Sequence, residues 1–310
     1  MKRLRKAVHN YLALRRALGF KLRDAGVGLW DFVAFLQRQR ASCITIELAL
    51  QWATQPSHHQ PADWAKRLSW VRGFARYWSA TDPRTEIPPW GLLPHRPGRA
   101  RPYLYTDDEI RRLLKAAKSL PSSQGLRGWT YYCLFGLLVV TGLRISEALA
   151  LARQDVDLPE GLLTIRDSKF GKSRLVPLHR STQRVLVHYA ERRDRMLGSG
   201  TTASFLVSDR GKPLEGSTVR RTFYQLSRQT GLRGPADHQG PRLHDFRHRF
   251  AVQTLVEWYR SGQDVERRLP ILSTYLGHAH VSDTYGYLSA CPELMGLAKE
   301  RMERRWEAWS

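Results

Sequence analysis

A chain of 310 residues with 42% hydrophobic side chains has material for two cores rather than one. Fifty Lys and Arg against 28 Asp and Glu leave a net charge of +22, which favours a polyanion, nucleic acid foremost. A membrane protein or a disulfide or zinc scaffold is excluded: the most apolar run, "CLFGLLVV" at 133–140, is too short for a bilayer, and Cys43, Cys133 and Cys291 lie far apart. The basic N-terminus lacks the continuous apolar stretch of a signal peptide. A reducing, cytoplasmic setting is expected.

The first segment reads as helices. Leu4, Val8, Tyr11, Leu14 and Leu18 recur at spacings of three and four, as do Leu29, Phe32, Val33 and Leu36, and Trp64, Leu68, Val71, Ala75 and Trp78. "ITIELALQWA" adds a short helix, so residues 1–98 are expected to form a bundle of about four. These 98 residues hold sixteen Lys or Arg and six Asp or Glu, a net of +10. "PPWGLLPHRPGRARP" at 88–102 contains five prolines and cannot continue a helix. It reads as an extended, basic linker.

Past the linker, "TDDEIRRLLKAA" opens with Thr106 and Glu109 at capping-box spacing. A buried helix, "WTYYCLFGLLVV", leads into "TGLRISEALAL", a glycine turn and a new helix. "GLLTIRD" and "SRLVPLH" read as two strands around the turn "SKFGK", and "FLVSDRGKPL" as a third strand and turn. Helices are expected again in "GSTVRRTFYQLSRQ", "LHDFRHRFAVQTLVEWYR" and "PELMGLAKERMERRWEAW". Residues 99–310 are thus expected to be a mainly helical domain with a small antiparallel sheet.

The chemistry-bearing residues cluster in four boxes. Arg144 opens the helix of "TGLRISEAL", with Glu147 one turn on to hold its side chain. His244 and Arg247 in "LHDFRHRFA" are three apart and share a helix face; adjacent His248 is expected to face elsewhere. Lys169 and Lys172 flank the "SKFGK" turn, where a mobile ammonium suits a general acid. "TYLGHAHVSDTYGYL" supplies His278, Tyr275, Tyr285 and Tyr287, with His280 expected exposed. Two guanidinium groups suit the oxygens of a phosphodiester. A tyrosine phenol, about one part in a thousand ionised at neutral pH, needs help to act as nucleophile. There is no carboxylate cluster for two-metal catalysis and no GxxxxGK[ST] loop.

The order and spacing of these boxes, "TGLRISEAL", "SKFGKSRLVPL", "LHDFRHRFA" and "LGHAHVSDTYGYL", resemble the tyrosine recombinase, or phage integrase, family over residues 103–290. The resemblance implies a two-domain architecture: a helical core-binding domain at 1–98 and a mixed α/β catalytic domain at 99–310, clamping duplex DNA between them. It implies that Arg144, Lys169, His244, Arg247, His278 and Tyr287 are catalytic. The nucleophile lies nine residues beyond the "LGH" histidine, which selects Tyr287 and leaves Tyr285 and Tyr275 to packing. Lys172 becomes a phosphate contact, although Phe170 stands where the family commonly has glycine.

The implied reaction joins a DNA 3′-phosphate to tyrosine and frees a 5′-hydroxyl, with neither metal, ATP nor another cofactor and no small-molecule substrate. The implied partners are a double-stranded recombination site and three further copies of the chain, in integration, excision or transposition of a mobile element. The last helix is expected to reach a neighbouring protomer, with Leu294, Leu297, Ala298, Met302 and Trp309 roughly on one face. A type IB topoisomerase and a DNA-binding regulator without catalysis are the alternatives. The helical first domain and the helix beyond Tyr287 argue against the former, the complete residue set against the latter.

Overall fold

In the computed structural model, which describes residues 2–55, 60–93, 102–166, 173–198, 202–237, 240–288 and 292–307, the chain divides into two compact units, Met1–Ala100 and Arg101–Ser310. Side chains 304 and 305 are outside the description. So are Lys169, Lys172 and the whole hairpin turn, Cys291 and Trp309. No helix among the described residues is long and apolar enough to cross a membrane.

The first unit contains α1 (Lys2–Ala17), α2 (Arg23–Arg38), α3 (Ile46–Thr54) and α4 (Pro61–Trp78). Their apolar stripes meet in a core that includes Val8, Leu12, Phe32, Leu36, Trp52 and Phe74. Thr45 caps α3 by accepting from the Leu48 N–H, and Pro61 opens α4 where its missing donor costs nothing. Buried Arg72 on α4 donates to Pro88 O at 2.7 Å and Pro89 O at 2.9 Å, fixing the start of the proline segment against the bundle.

The second unit is built around α6 (Arg127–Thr141), buried on nearly every side. Against it lie α5 (Asp107–Lys118), α8 (Arg180–Leu197) and α10 (Asp245–Arg260). Thr106 and Glu109 form the expected capping box of α5. The remaining helices are α7 (Ile145–Ala150), α9 (Gly216–Gln229), α11 (Val265–Leu276), α12 (Ser282–Tyr285) and α13 (Pro292–Glu307).

The sheet is antiparallel, ordered β1 (Val156–Asp157), β2 (Leu162–Ile165), β3 (Arg174–Pro177). Leu163 pairs with Val176 and Ile165 with Arg174. The third strand is therefore β1 and not "FLVSDRGKPL". There, Val207 bridges only to Pro213, closing its own turn, while the Thr130 hydroxyl donates to the Val207 carbonyl.

α13 packs on α10 of its own chain: Leu294 is buried beside Leu255 and Val256, and Arg260 pairs with Glu293. Met302 does not share this buried face and is 74% exposed. Helical rotation of about 100° per residue carries it roughly 80° away from Leu294.

Candidate active site

Two glycine turns build the floor of the site. α6 ends at Gly142 (φ 61°) and α11 ends at Gly277 (φ 69°), both in the left-handed conformation that ends helices. A Cβ at Gly142 would meet the Phe250 ring at 2.7 Å, and one at Gly277 would meet Arg174 Nη1 at 2.7 Å. Both backbones are thus approached too closely for any side chain.

The arginines converge on the end of α11, whose last carbonyls have no partner within the helix. Arg174 Nε donates to Tyr275 O at 2.6 Å, Arg247 Nη2 to Leu276 O at 2.7 Å, and Arg144 Nη2 to Gly277 O at 3.0 Å. Arg247, 2% exposed, also donates from Nη1 to Gly142 O at 2.9 Å. Three successive carbonyls at the negative end of a helix dipole therefore hold guanidinium groups from β3, α10 and the start of α7.

Glu147 fastens two of them together. Its Oε1 accepts from Arg144 Nη1 at 2.7 Å and its Oε2 from the Arg144 backbone N–H at 3.0 Å. The same carboxylate accepts from Arg174 Nη1 at 3.2 Å and Nη2 at 2.9 Å. Burial works to raise its pKa, but hydrogen bonds from Arg174 and Arg144 outweigh burial and hold it below the ordinary value.

Tyr287 lies in the turn after α12, not within a helix, and is 5% exposed. Its ring stacks on His278 at 5.9 Å and meets His248 edge-on at 5.4 Å. The Arg247 guanidinium lies close enough to couple electrostatically with its phenol. The expectation for His248 is thus corrected: four residues after His244 on α10, it packs between His244 (rings 5.0 Å apart) and Tyr287. Tyr285 is corrected too. It is 54% exposed rather than packed, because α12 is one short turn on the surface. Tyr275 stacks on Phe250 at 5.4 Å, and His280 is exposed.

His278 Nδ1 lies 2.8 Å from the hydroxyl of buried Thr284. Desolvation, then the charges of Arg247 and Arg144, push its pKa down to about 4. His244 stands at the start of α10 with part of its ring open to solvent. Burial of the rest, with His248 and Arg247 adding to it, pushes its pKa down to about 4. Both imidazoles are therefore neutral at pH 7.

Five of the six residues selected from sequence, Arg144, His244, Arg247, His278 and Tyr287, are thus linked through shared partners at the end of α11 and the start of α10; Lys169 lies outside the described residues. Arg174, His248 and Thr284 join them unannounced. A signal for Arg174 existed in "SRLVPL", where alternation sets it on the same strand face as buried Val176.

Comparison with known proteins agrees in extent with this site. Residues 104–293 match the phage integrase family. The y4rB protein of Sinorhizobium fredii, named as an integrase/recombinase, is 57% identical over 99% of both chains. In fold, the chain is similar to the Tn1549 transposon integrase in complex with circular intermediate DNA (TM-score 0.66, 16% identity, 96% of this chain and 99% of that one). It is also similar to lambda integrase in a tetramer bound to a Holliday junction (TM-score 0.59, 19% identity, 93% of this chain and 77% of that one). The chain belongs to the phage integrase family, the tyrosine recombinases.

Proposed function

We propose that this chain is a site-specific DNA recombinase that cuts and rejoins strands through a 3′-phosphotyrosyl intermediate. The observation that carries this reading is the setting of Tyr287: its buried ring stacks on His278, and the charge of Arg247, a guanidinium fixed by two backbone carbonyls, reaches its phenol. A phosphate bound by that guanidinium lies within reach of the phenol oxygen.

The roles follow from the chemistry. Tyr287 Oη attacks phosphorus, the P–O5′ bond breaks, and the 3′-phosphate becomes a tyrosyl ester. The phosphorane carries one negative charge more than the diester. Arg144 and Arg247, oriented before DNA arrives, meet that charge without reorganisation. With the Thr284 hydroxyl donating to Nδ1, neutral His278 carries its proton on Nε2 and donates it to a phosphate oxygen. The phenolic proton passes to the histidines beside the ring, His248 and then neutral His244 behind it. Lys169 protonates the leaving 5′-oxygen. A 5′-hydroxyl from a partner strand then reverses the step on a new strand. One ester replaces another, so no ATP is consumed, and the arginines take the electrostatic role a metal would fill.

The first unit, with its net +10 over residues 1–98, is a DNA-binding domain for the core of the site. The active assembly is four copies on two DNA sites, serving integration, excision or transposition of a mobile element in the cytoplasm. In that assembly α13 contributes a protomer contact.

A suicide DNA substrate tests the reading. Wild type is expected to form a covalent adduct that survives detergent, with EDTA present or absent. Tyr287→Phe is expected to bind equally and form none, whereas Tyr285→Phe stays active. An adduct from Tyr287→Phe, or inhibition by EDTA reversed by magnesium, overturns the mechanism.

A further inference from the structure

β3 carries its side chains the wrong way round for an ordinary half-buried strand. Successive residues face opposite sides, yet Leu175 is 60% exposed while the side chain of Arg174, beside Val176, is only 8% exposed. Burying a guanidinium is expensive unless it is fully partnered. Arg174 is partnered by the Tyr275 carbonyl and by both oxygens of Glu147, and it presses flat against Gly277, where no Cβ fits. Two of these belong to the support of Arg144. Glu147 grips the Arg144 side chain, and Gly277 supplies the carbonyl to which Arg144 donates.

We propose that Arg174 is a positioning residue for DNA cleavage, locking Glu147 and the end of α11 so that the Arg144 guanidinium stays aimed at the scissile phosphate. This rests on the function proposed above and extends it to a buried residue that acts through Arg144. The reason for an arginine is geometric: a planar fork spans a carboxylate and a carbonyl together, which a lysine cannot. Without it, Glu147 keeps hydrogen bonds from Arg144 alone and loses the second anchor that sets its rotamer.

The charges around Glu147 make the proposal readable. Arg144 faces it from the start of α7, Arg174 from β3, Arg247 from α10, and His278 follows at the end of α11 beside Arg144 and Arg174. When Arg174 is removed, burial of Glu147 is opposed chiefly by Arg144, and the carboxylate takes up a proton at higher pH. Once protonated, it releases the ion pair with Arg144.

Single-turnover cleavage of a suicide substrate by wild type, Arg174→Gln and Arg174→Lys tests this. Both variants are expected to bind DNA as wild type does and to cleave about 10- to 100-fold more slowly at neutral pH, the cost of a misaimed group. The acid limb of the Arg174→Gln rate profile is expected at higher pH than in wild type and to vanish on adding Glu147→Gln. His278 also loses a neighbouring charge in this variant, so a limb that persists after Glu147→Gln belongs to His278 and overturns the proposal. Wild-type cleavage rates in both variants overturn it as well. An NMR titration of the Glu147 side-chain carboxyl in DNA-free protein reads the same linkage without any activity. An upward shift in Arg174→Lys or Arg174→Gln supports the lock even if no DNA is cleaved, and an unmoved titration sinks it.

Discussion

Arg144 and Arg247 donate to adjacent carbonyls of a single helix end, Gly277 O at 3.0 Å and Leu276 O at 2.7 Å. The two groups come from α10 and the start of α7, so nothing in the chain's local structure sets their spacing; the end of α11 does. Its unpaired carbonyls carry partial negative charge and favour cations. Arg144→Lys and Arg247→Lys are therefore expected to lose nearly as much cleavage as the alanine variants, at least ~10²-fold. An ammonium cannot keep the carbonyl and grip phosphate as a planar fork does. Single-turnover cleavage compared with gel-shift affinity checks this. Parallel losses in both would make these arginines plain DNA clamps.

Gly277→Ala is expected to damage the site although it alters no charged group. The backbone there has φ 69°, and the added methyl would lie 2.7 Å from Arg174 Nη1. A cost above ~1 kcal/mol in stability is expected, along with slowed cleavage as Arg174 is displaced. Gly296→Ala, in α13 with nothing within 4 Å of its new Cβ, is the control and is expected to gain about 0.5–1 kcal/mol. Thermal unfolding of the two variants measures the contrast; equal melting temperatures would deny the close approach.

The helices of the first unit were legible because Val8, Leu29, Leu36, Leu68 and Val71 keep strict helical spacing and become its core. α8 was not read, because its inward face includes Tyr189 and Arg193 among many exposed charges and shows no clean apolar stripe. α11 was hidden by Pro270, the sixth of its twelve residues, which removes an N–H from the ladder; burial of Leu269, Leu272 and Leu276 holds the helix together across it. The identity of the charged residues was legible, but their support was not. Which carbonyl holds which arginine depends on where α6 and α11 end in space, and the sequence shows this only as two glycines. The three-residue spacing of His244 and Arg247 hides His248; the pair four apart, His244 and His248, shares a face equally well.

Protonation gives a separate check. The folded pKa of His278 is pushed down to about 4, below the ordinary 6.5. Between these values the unfolded chain binds the proton and the folded chain does not. Stability contributed by this group is therefore complete above about pH 6.5 and falls as pH drops toward 4. Imidazole titration by NMR is expected to find His278 still neutral near pH 5.5, about a unit below its ordinary midpoint. In Arg144→Ala the midpoint should rise, since one depressing charge has gone. A wild-type midpoint near 6.5 would mean that His278 is not shielded from water.

The last prediction concerns α13. Its inner residue Leu294 shares a cluster with Tyr287, so deleting the helix would disturb the nucleophile and any assembly function together. The outer face separates the two. Met295, Met302 and Trp306 are 55%, 74% and 78% exposed. Spacings of seven and four residues align them within roughly 40° of arc, about 80–120° round the helix from Leu294. An apolar stripe on the solvent side of a surface helix is the kind of feature a protein partner covers. If α13 makes the protomer contact, Met302→Glu with Trp306→Glu should leave folding, single-site binding and covalent adduct formation unchanged. Pairing of two DNA sites and recombination between them should fall at least ~10-fold, the loss when a buried contact worth more than about 1.4 kcal/mol is removed. Light scattering on the DNA complex, run beside the adduct assay, checks both halves. Full pairing by this double variant would show that α13 serves only its own chain, as a brace for Tyr287 through Leu294.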